Sequence, residues 1–351
     1  MNREPTGLGS PWPMLLDRRQ ILTAGLVTVA TAVIRSDRSV LADETREGGE
    51  DAADDTAATG PQWRLSYDSP KAERWRIGMR LDTNGVACKD ILATFPIPMP
   101  WPEQTVRLLH QEIDPRVDRW TVRTLPGGAR QVVLAMSAVP AGASPEITFE
   151  LEVARSRILP PEQTDDLVIP KRPANPLKIF LGTSPYIDSG DGRIRAAARE
   201  LGAEEHANAW AHVEAIYDWV REKVEYVEGD IKTASQALRD GKGDCEEMTS
   251  LFVAICRASR IPARMVWIHD HCYPEFYLED ADGNGTWFPC QAAGTRQFGR
   301  MDEYRPVLQK GDRFKVPEKR QPVRYVAEFF RCLPQGNRDP IPIFLREVVP
   351  A

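Results

Sequence analysis

The stretch GKGDCEEMTSLFVAICRASRIPARMV, residues 241–266, decides how this chain is read. Gly241, Gly243 and Asp244 interrupt regular structure, and Glu246 and Glu247 are of the type favoured in the first turn of a helix. Met248, Leu251, Phe252, Ile255 and Cys256 then recur at the spacing of one buried helical face. A core helix therefore starts near Cys245, and Cys256 on its stripe is an inert core residue. Cys245 stands at the helix N-terminus, where the dipole lowers a thiol pKa and unpaired backbone N–H groups could hold an oxyanion. Asp244, Glu246 and Glu247 oppose this, because negative neighbours disfavour a thiolate. From these residues alone, Cys245 is either a structural thiol or a nucleophile.

A nucleophilic thiol needs a base, and the base needs an acceptor that orients it. The sequence IHDHCYPEFYLEDADGNGTWFPCQAAG, residues 268–294, supplies candidates. Its first half alternates as a strand, DADGNG (280–285) is turn-forming, and TWFPCQ (286–291) reads as the returning strand of a hairpin. Alternation puts His269, His271, Tyr273, Glu275 and Tyr277 on one side of the first strand. A pairing that sets His271 opposite Gln291 also sets Cys272 opposite Cys290, which leaves two readings of those cysteines, a cross-strand disulfide or two small buried residues. Pro274 within the first strand points to a bulge or an edge. A metal site from His269, His271 and Cys245 is a further reading of the same residues, although no Cys-x-x-Cys or His-Glu-x-x-His pattern accompanies it.

Taken together, GKGDCEEMTSLFVAICRASRIPARMV, HCYPEFYL and WFPCQ resemble the transglutaminase-like superfamily over about residues 176–300. That family has a Gly-x-Cys helix start, a helix ending in Gly-Ile-Pro-Ala-Arg, a His-x-Trp-x-Glu strand and a Trp-x-Pro-x-Asp strand. The resemblance implies an α+β, papain-related core with an antiparallel sheet and a Cys-His-Asp triad, with Cys245 as nucleophile and His271 as base. In this chain Gln291 stands where the family has Asp. Its carbonyl can still accept from the imidazole and fix the tautomer, but it cannot stabilise imidazolium by charge. Tyr273 replaces the usual Trp, and Ser259 and Arg260 replace the common Gly before Ile261. Family logic also implies an oxyanion-holding side chain upstream, for which Trp219 and Gln236 are the candidates, and a supporting or structural role for Glu275. No metal and no cofactor are implied.

Outside this region, period-two alternation from 62 to 156, as in Trp75, Ile77, Met79 and Leu81, predicts an all-β sandwich-like module over 61–158. Within it FPIPMPWP (95–102) reads as an extended surface segment, because proline at alternate positions removes ladder donors. A proline-rich linker over 159–175 leads to the transglutaminase-like domain, 176–335, and a C-terminal tail, 336–351. Trp210, Val213, Ile216, Tyr217, Val220 and Val224 share one face of a second core helix, while His206 and His212 lack the spacing of a metal-binding pair. Upstream, Arg18 and Arg19 precede an apolar run from Ile21 to Ile34 and Val40-Leu41-Ala42, the layout of a twin-arginine-type signal peptide over 1–42. Residues 43–60 read as an acidic disordered linker.

Over its 351 residues the chain is 42% hydrophobic and 27% charged, with formal net charge -6, which argues against general nucleic-acid binding. Its six cysteines are too few for a disulfide scaffold. The expected function is that of an exported, periplasmic or envelope thiol hydrolase: a cysteine peptidase, amidase or transamidase acting through an acyl-thioester. Its partners would be protein or peptide substrates, with membrane contact only through an uncleaved leader. The alternative is an inactive fold used for binding or assembly.

Overall fold

The computed structural model describes residues 63–350, so the expected leader and acidic linker lie outside the described residues. The N-terminal module consists of two four-stranded antiparallel sheets. One contains β2 (Lys71–Asp82), β4 (Gln104–Ile113), β7 (Glu146–Arg155) and β16 (Ile341–Val349), in the order β16-β2-β7-β4. The other contains β3 (Cys88–Ile97), β5 (Arg119–Leu125), β6 (Ala129–Val139) and β15 (Phe329–Pro334), in the order β15-β3-β6-β5. Alternation buries Trp75, Ile77, Met79 and Leu81 from the first sheet against Ile91, Ala93, Phe95 and Leu134 from the second, forming one cluster. Short strands β1 (Ser66–Tyr67) and β8 (Ile158–Leu159) pair beside it.

Two expectations are corrected here. The expected tail, 336–351, is not one over its described residues: β16 pairs with β2 along its length, and β15 pairs with β3, so the chain leaves the second module before 335 and returns to the first. The FPIPMPWP segment is at the surface only in its second half, where Pro100 and Pro102 are exposed, whereas Phe95, Pro96, Ile97 and Pro98 are buried at the end of β3. Pro96 is tolerated because β15 stops opposite Thr94, leaving β3 an edge on that side.

In the second module, a 3-10 turn (Asn175–Phe180) precedes α1 (Gly192–Ala203), α2 (Ala209–Lys223), α3 (Ala234–Asp240) and α4 (Cys245–Ala258). Strands β9 (Glu225–Tyr226) and β10 (Lys242–Gly243) form a small parallel pair. The main sheet has the order β13-β12-β11-β14, built from β11 (Ala263–Ile268), β12 (His271–Glu279), β13 (Gly285–Pro289) and β14 (Val307–Lys310). The linker expected before this module is partly woven into it, because Val168 bridges Glu279 at the end of β12. Helix α4 fills the centre, with Leu251, Phe252, Ile255 and Cys256 fully buried against Phe276, Leu278 and Phe288. At its C-terminal end Arg257 donates to both Asp312 oxygens (2.9 and 2.7 Å), to the Ala263 carbonyl and to the Gly182 carbonyl. Arg260 then takes φ 63, the left-handed conformation that explains why the related motif prefers glycine at this position.

A polar seam joins the modules. Lys310 of β14 contacts Glu103 (2.7 Å) and Glu275 (2.6 Å), and Arg264 pairs with Glu275 from the other side. Gln104 exchanges two hydrogen bonds with the backbone of Val307. The Lys310 N–H donates to the Gly128 carbonyl, and a Cβ at Gly311 would lie 2.6 Å from the Gly127 oxygen, so only glycine allows the backbones this close. Fully buried Arg155 of β7 donates to the Tyr273 hydroxyl (2.9 Å) and to the Arg305 carbonyl. No helix among the described residues is long and apolar enough to cross a membrane.

Two stability outcomes follow. Asp312→Ala leaves Arg257 charged and unpaired in the core and is expected to lower the unfolding free energy by about 3–5 kcal/mol, read as a lower urea midpoint. An unchanged midpoint would show that this pair does not hold α4. Arg260→Gly relieves the left-handed strain and should raise the unfolding free energy by up to about 1 kcal/mol after the added backbone entropy, read as a higher midpoint.

Candidate active site

The start of α4 is built by its caps. The Asp244 carboxylate accepts from the Glu246 N–H (2.7 Å) and from the Glu247 N–H, while the Glu247 carboxylate accepts from the N–H groups of Asp244 and Lys232. This is a capping box, and it requires glycine at 243, where a Cβ would sit 2.5 Å from that of Glu247. Glu246 pairs with Arg324. The three carboxylates next to the thiol are thus occupied, and half-buried Cys245 is the first helical residue.

His271 opens β12 directly across from it. The chain reaches β12 through a tight turn at His269-Asp270, where Asp270 has φ 61. His269 therefore lies in the turn and not on the strand: its ring packs tilted against Trp75 at 5.3 Å, and its carbonyl accepts from Arg305. This corrects the expectation that His269 and His271 share a face, and it breaks up the metal set of His269, His271 and Cys245. Among the described residues no group of three or more His, Cys, Asp or Glu is arranged to hold a metal ion.

The hairpin register also differs from expectation. Glu275 pairs with Pro289 and the Cys290 N–H donates to the Pro274 carbonyl, so Cys290 stands opposite Pro274 and not Cys272. With Cys290 opposite Pro274 the register that the Cys272–Cys290 disulfide required is absent, and both thiols are free. Pro274 lies within the central strand, with no register shift against β11, and its missing N–H falls on the flank where β13 ends at Pro289. Cys272 instead points to the head of α4, its thiol 3.4 Å from the Cys245 carbonyl.

Past β13 the chain loops so that the Gln291 side chain still reaches His271, with 3.1 Å between Nε2 and Oε1. Helix α2 fixes this loop: the Tyr217 hydroxyl and the Arg221 guanidinium donate to the Gln291 carbonyl, and Arg221 also holds the carbonyls of Ala292 and Gly294. With Nε2–H committed to Gln291, Nδ1 is the ring nitrogen left for the hydrogen bond to Cys245. The Cys272 thiol and then the imidazole of His271 stabilise the thiolate against burial, and bring the Cys245 pKa down to about 5. Burial pulls the His271 pKa down, but the neighbouring Cys245 sulfur and Gln291 outweigh it and leave it raised. An imidazolium–thiolate pair is the consequence.

Tyr226, Asp270, Ala293, Gly294 and Arg305 join the three residues around an open cavity of about 420 Å³. Tyr226 was not apparent from sequence, because its place comes from β9 pairing beside β10, immediately before the thiol. Burial and the Cys245 charge raise its pKa, so the hydroxyl remains a donor. The two oxyanion candidates read from sequence do not line this cavity. The Gln236 carboxamide caps α3 by accepting from the Thr233 N–H, and Trp219 packs against the helical core beside Lys223. Glu275 is also remote from the chemistry; burial would raise its pKa, but Arg264 and Lys310 hold it below the ordinary value.

Residues 195–292 match the family model of the transglutaminase-like superfamily. Among solved structures, the chain resembles a protein of Cytophaga hutchinsonii described as a candidate cysteine protease, with 18% identity and a TM-score of 0.50 over 78% of this chain and 94% of that one. It also resembles the periplasmic domain of TgpA from Pseudomonas aeruginosa, with 13% identity and a TM-score of 0.31 over 64% of this chain and 93% of that one. The first likeness supports the fold, and the second is too distant to support an inference. A search of the curated proteins finds no match.

The lowered thiol pKa sets a pH response. Cys245 is thiolate above about pH 5 and protonated below it, so its alkylation by iodoacetamide should rise through a midpoint near pH 5 in the native protein. His271→Ala removes one of the stabilising partners and should move that midpoint upward. Alkylation that rises only above pH 8 in both proteins would mean that the ion pair does not form.

Proposed function

We propose that the transglutaminase-like core of this chain is a cysteine acyl-transfer enzyme acting on amide bonds of proteins or peptides. The reading rests on one observation: His271 is oriented through Nε2 by Gln291 and hydrogen-bonded to a Cys245 whose pKa is about 5. A general base and a nucleophile in this arrangement split amide cleavage into two easier steps.

In the first step the Cys245 thiolate attacks the carbonyl carbon, and the C=O electron pair moves onto oxygen. The Cys245 backbone N–H at the helix N-terminus and the Tyr226 hydroxyl are the donors available to that oxyanion. As the tetrahedral species collapses, the C–N bond breaks and the His271 imidazolium passes its Nδ1 proton to the leaving amine. A thioester on Cys245 remains. Water or an amine then attacks it, His271 takes the proton of that nucleophile, and the C–S bond breaks to release acid or new amide. Gln291 holds the tautomer throughout, while the paired thiolate supplies the negative charge that a family Asp would otherwise contribute in the resting state.

The module ahead of the core, read as a β-sandwich, serves in this proposal as the rigid platform behind the cleft. Export through the twin-arginine-type leader, with substrates in the periplasm or cell envelope, belongs to the same proposal and rests on Arg18, Arg19 and the apolar run 21–34.

The test is turnover of peptide amides, with and without an added primary amine, together with labelling by an electrophilic acyl probe. Cys245→Ala should abolish turnover and labelling, and His271→Ala should reduce kcat/KM by roughly 10²–10⁴. Gln291→Ala should cause a smaller loss, which Gln291→Asn partly restores. The profile of kcat/KM should rise through pH 5 with thiolate formation and fall as the raised His271 pKa is passed. A wild-type protein whose Cys245 labels no faster than a free cysteine would sink the enzyme reading in favour of a binding module.

A further inference from the structure

Cys88 and Cys332 take no part in the proposed chemistry, yet they are brought together from opposite ends of the described chain. Cys88 begins β3, and Cys332 lies in β15, the strand that returns from beyond the catalytic module to pair with β3. Pro334 stands opposite Cys88 and Leu333 opposite Lys89, but Arg331 stands opposite Leu92, so β3 carries an extra residue in this interval. Asp90, with φ 50, lies in that bulge. A bulge bends and twists its strand, and here the neighbouring Cys332 packs against the cluster in which Cys88 is wholly buried. The Cys88 thiol donates to the Val86 carbonyl at 3.7 Å, and Cys332, two residues before the Pro334 that faces Cys88, lies on the same side of the adjoining strand.

We propose that Cys88 and Cys332 form a disulfide under oxidising conditions, a clasp that fastens the returning C-terminal strand to the two-sheet module. Both thiols are free in the structure. The clasp has a physical use. β15 is a short edge strand with exposed Arg331 and Leu333, and such an edge frays readily. A cross-link between positions this distant in sequence closes a large loop in the unfolded chain and so removes conformational entropy from the unfolded ensemble. The loop it closes contains the whole catalytic module, so the two ends of the two-sheet module could no longer separate while that module folds.

In the reaction two thiols lose two protons and two electrons, the S–S bond forms, and a disulfide donor such as glutathione disulfide is reduced to two glutathione thiols. Burial, and for Cys332 also the adjacent Cys88, raise both pKa values, that of Cys332 to about 11. Thiolate is scarce once the sheet has closed, so exchange belongs to folding, when β15 is still docking; afterwards burial protects the bond from reductants. The proposal does not depend on the activity of Cys245, and a thiol count tests it independently.

The experiment refolds the full chain from the reduced, denatured state in glutathione buffer, denatures it without reductant, alkylates with iodoacetamide and digests with trypsin. Mass spectrometry should find peptide 81–89 joined to peptide 332–338, a link absent from Cys332→Ser. The oxidised wild type should melt several degrees above both its own reduced form and the variant. Recovery of Cys88 and Cys332 as alkylated thiols, or bonded to any other partner, would overturn the proposal.

Discussion

The attachment of α4 at both ends is the constraint on which the site depends. At the C-terminal end, Arg257 is wholly buried and joins the helix to Asp312, to the Ala263 carbonyl and to the segment around Gly182. At the N-terminal end, the Asp244–Glu247 capping box, extended to the Lys232 N–H, fixes the first turn. Between these anchors the apolar stripe lies on β11 and β12, so the rise of the helix and the length of the strands decide which residues meet. Cys245 and His271 do so because each begins its element at the same end of the layer.

That arrangement also resolves an electrostatic conflict. Three carboxylates beside a thiol hinder its ionisation, and the Asp244 charge still raises the Cys245 pKa. Two of them are engaged as helix caps and the third is paired with Arg324, whose own pKa burial lowers to about 10. The Cys272 thiol and the His271 ring remain in direct contact with the sulfur and draw its pKa down. The neutral Gln291 is held against His271 because its backbone is fixed by Tyr217 and Arg221, so little conformational freedom is left to the carboxamide.

The two-sheet module contributes more than a docked neighbour would. Arg155 reaches from β7 to the Tyr273 hydroxyl, two residues beyond His271, and to the carbonyl of Arg305, whose side chain lines the cavity. Trp75 carries the ring of His269 at the turn that aims β12. The back of the β13-β12-β11-β14 sheet is therefore shaped by residues from the other module, and the chain commits to that module at both ends through β2 and β16.

The sequence by itself determined the local elements and named three residues that the fold brings together. Helical periodicity from Met248 to Cys256, the capping residues around Cys245 and the hairpin signal at 280–285 are short-range physics, and they were legible together with Cys245, His271 and Gln291. Only the tertiary structure decided what depends on long-range pairing. A turn at Asp270 took His269 off the strand, and a shift of register moved Cys290 away from Cys272. Packing placed Tyr226 and not Trp219 or Gln236 at the cavity, and the returning strands turned an apparent tail into β16. Alternation fixes which face a side chain takes but leaves register and strand partners open. Those are set by turns, bulges and burial that involve residues hundreds of positions apart.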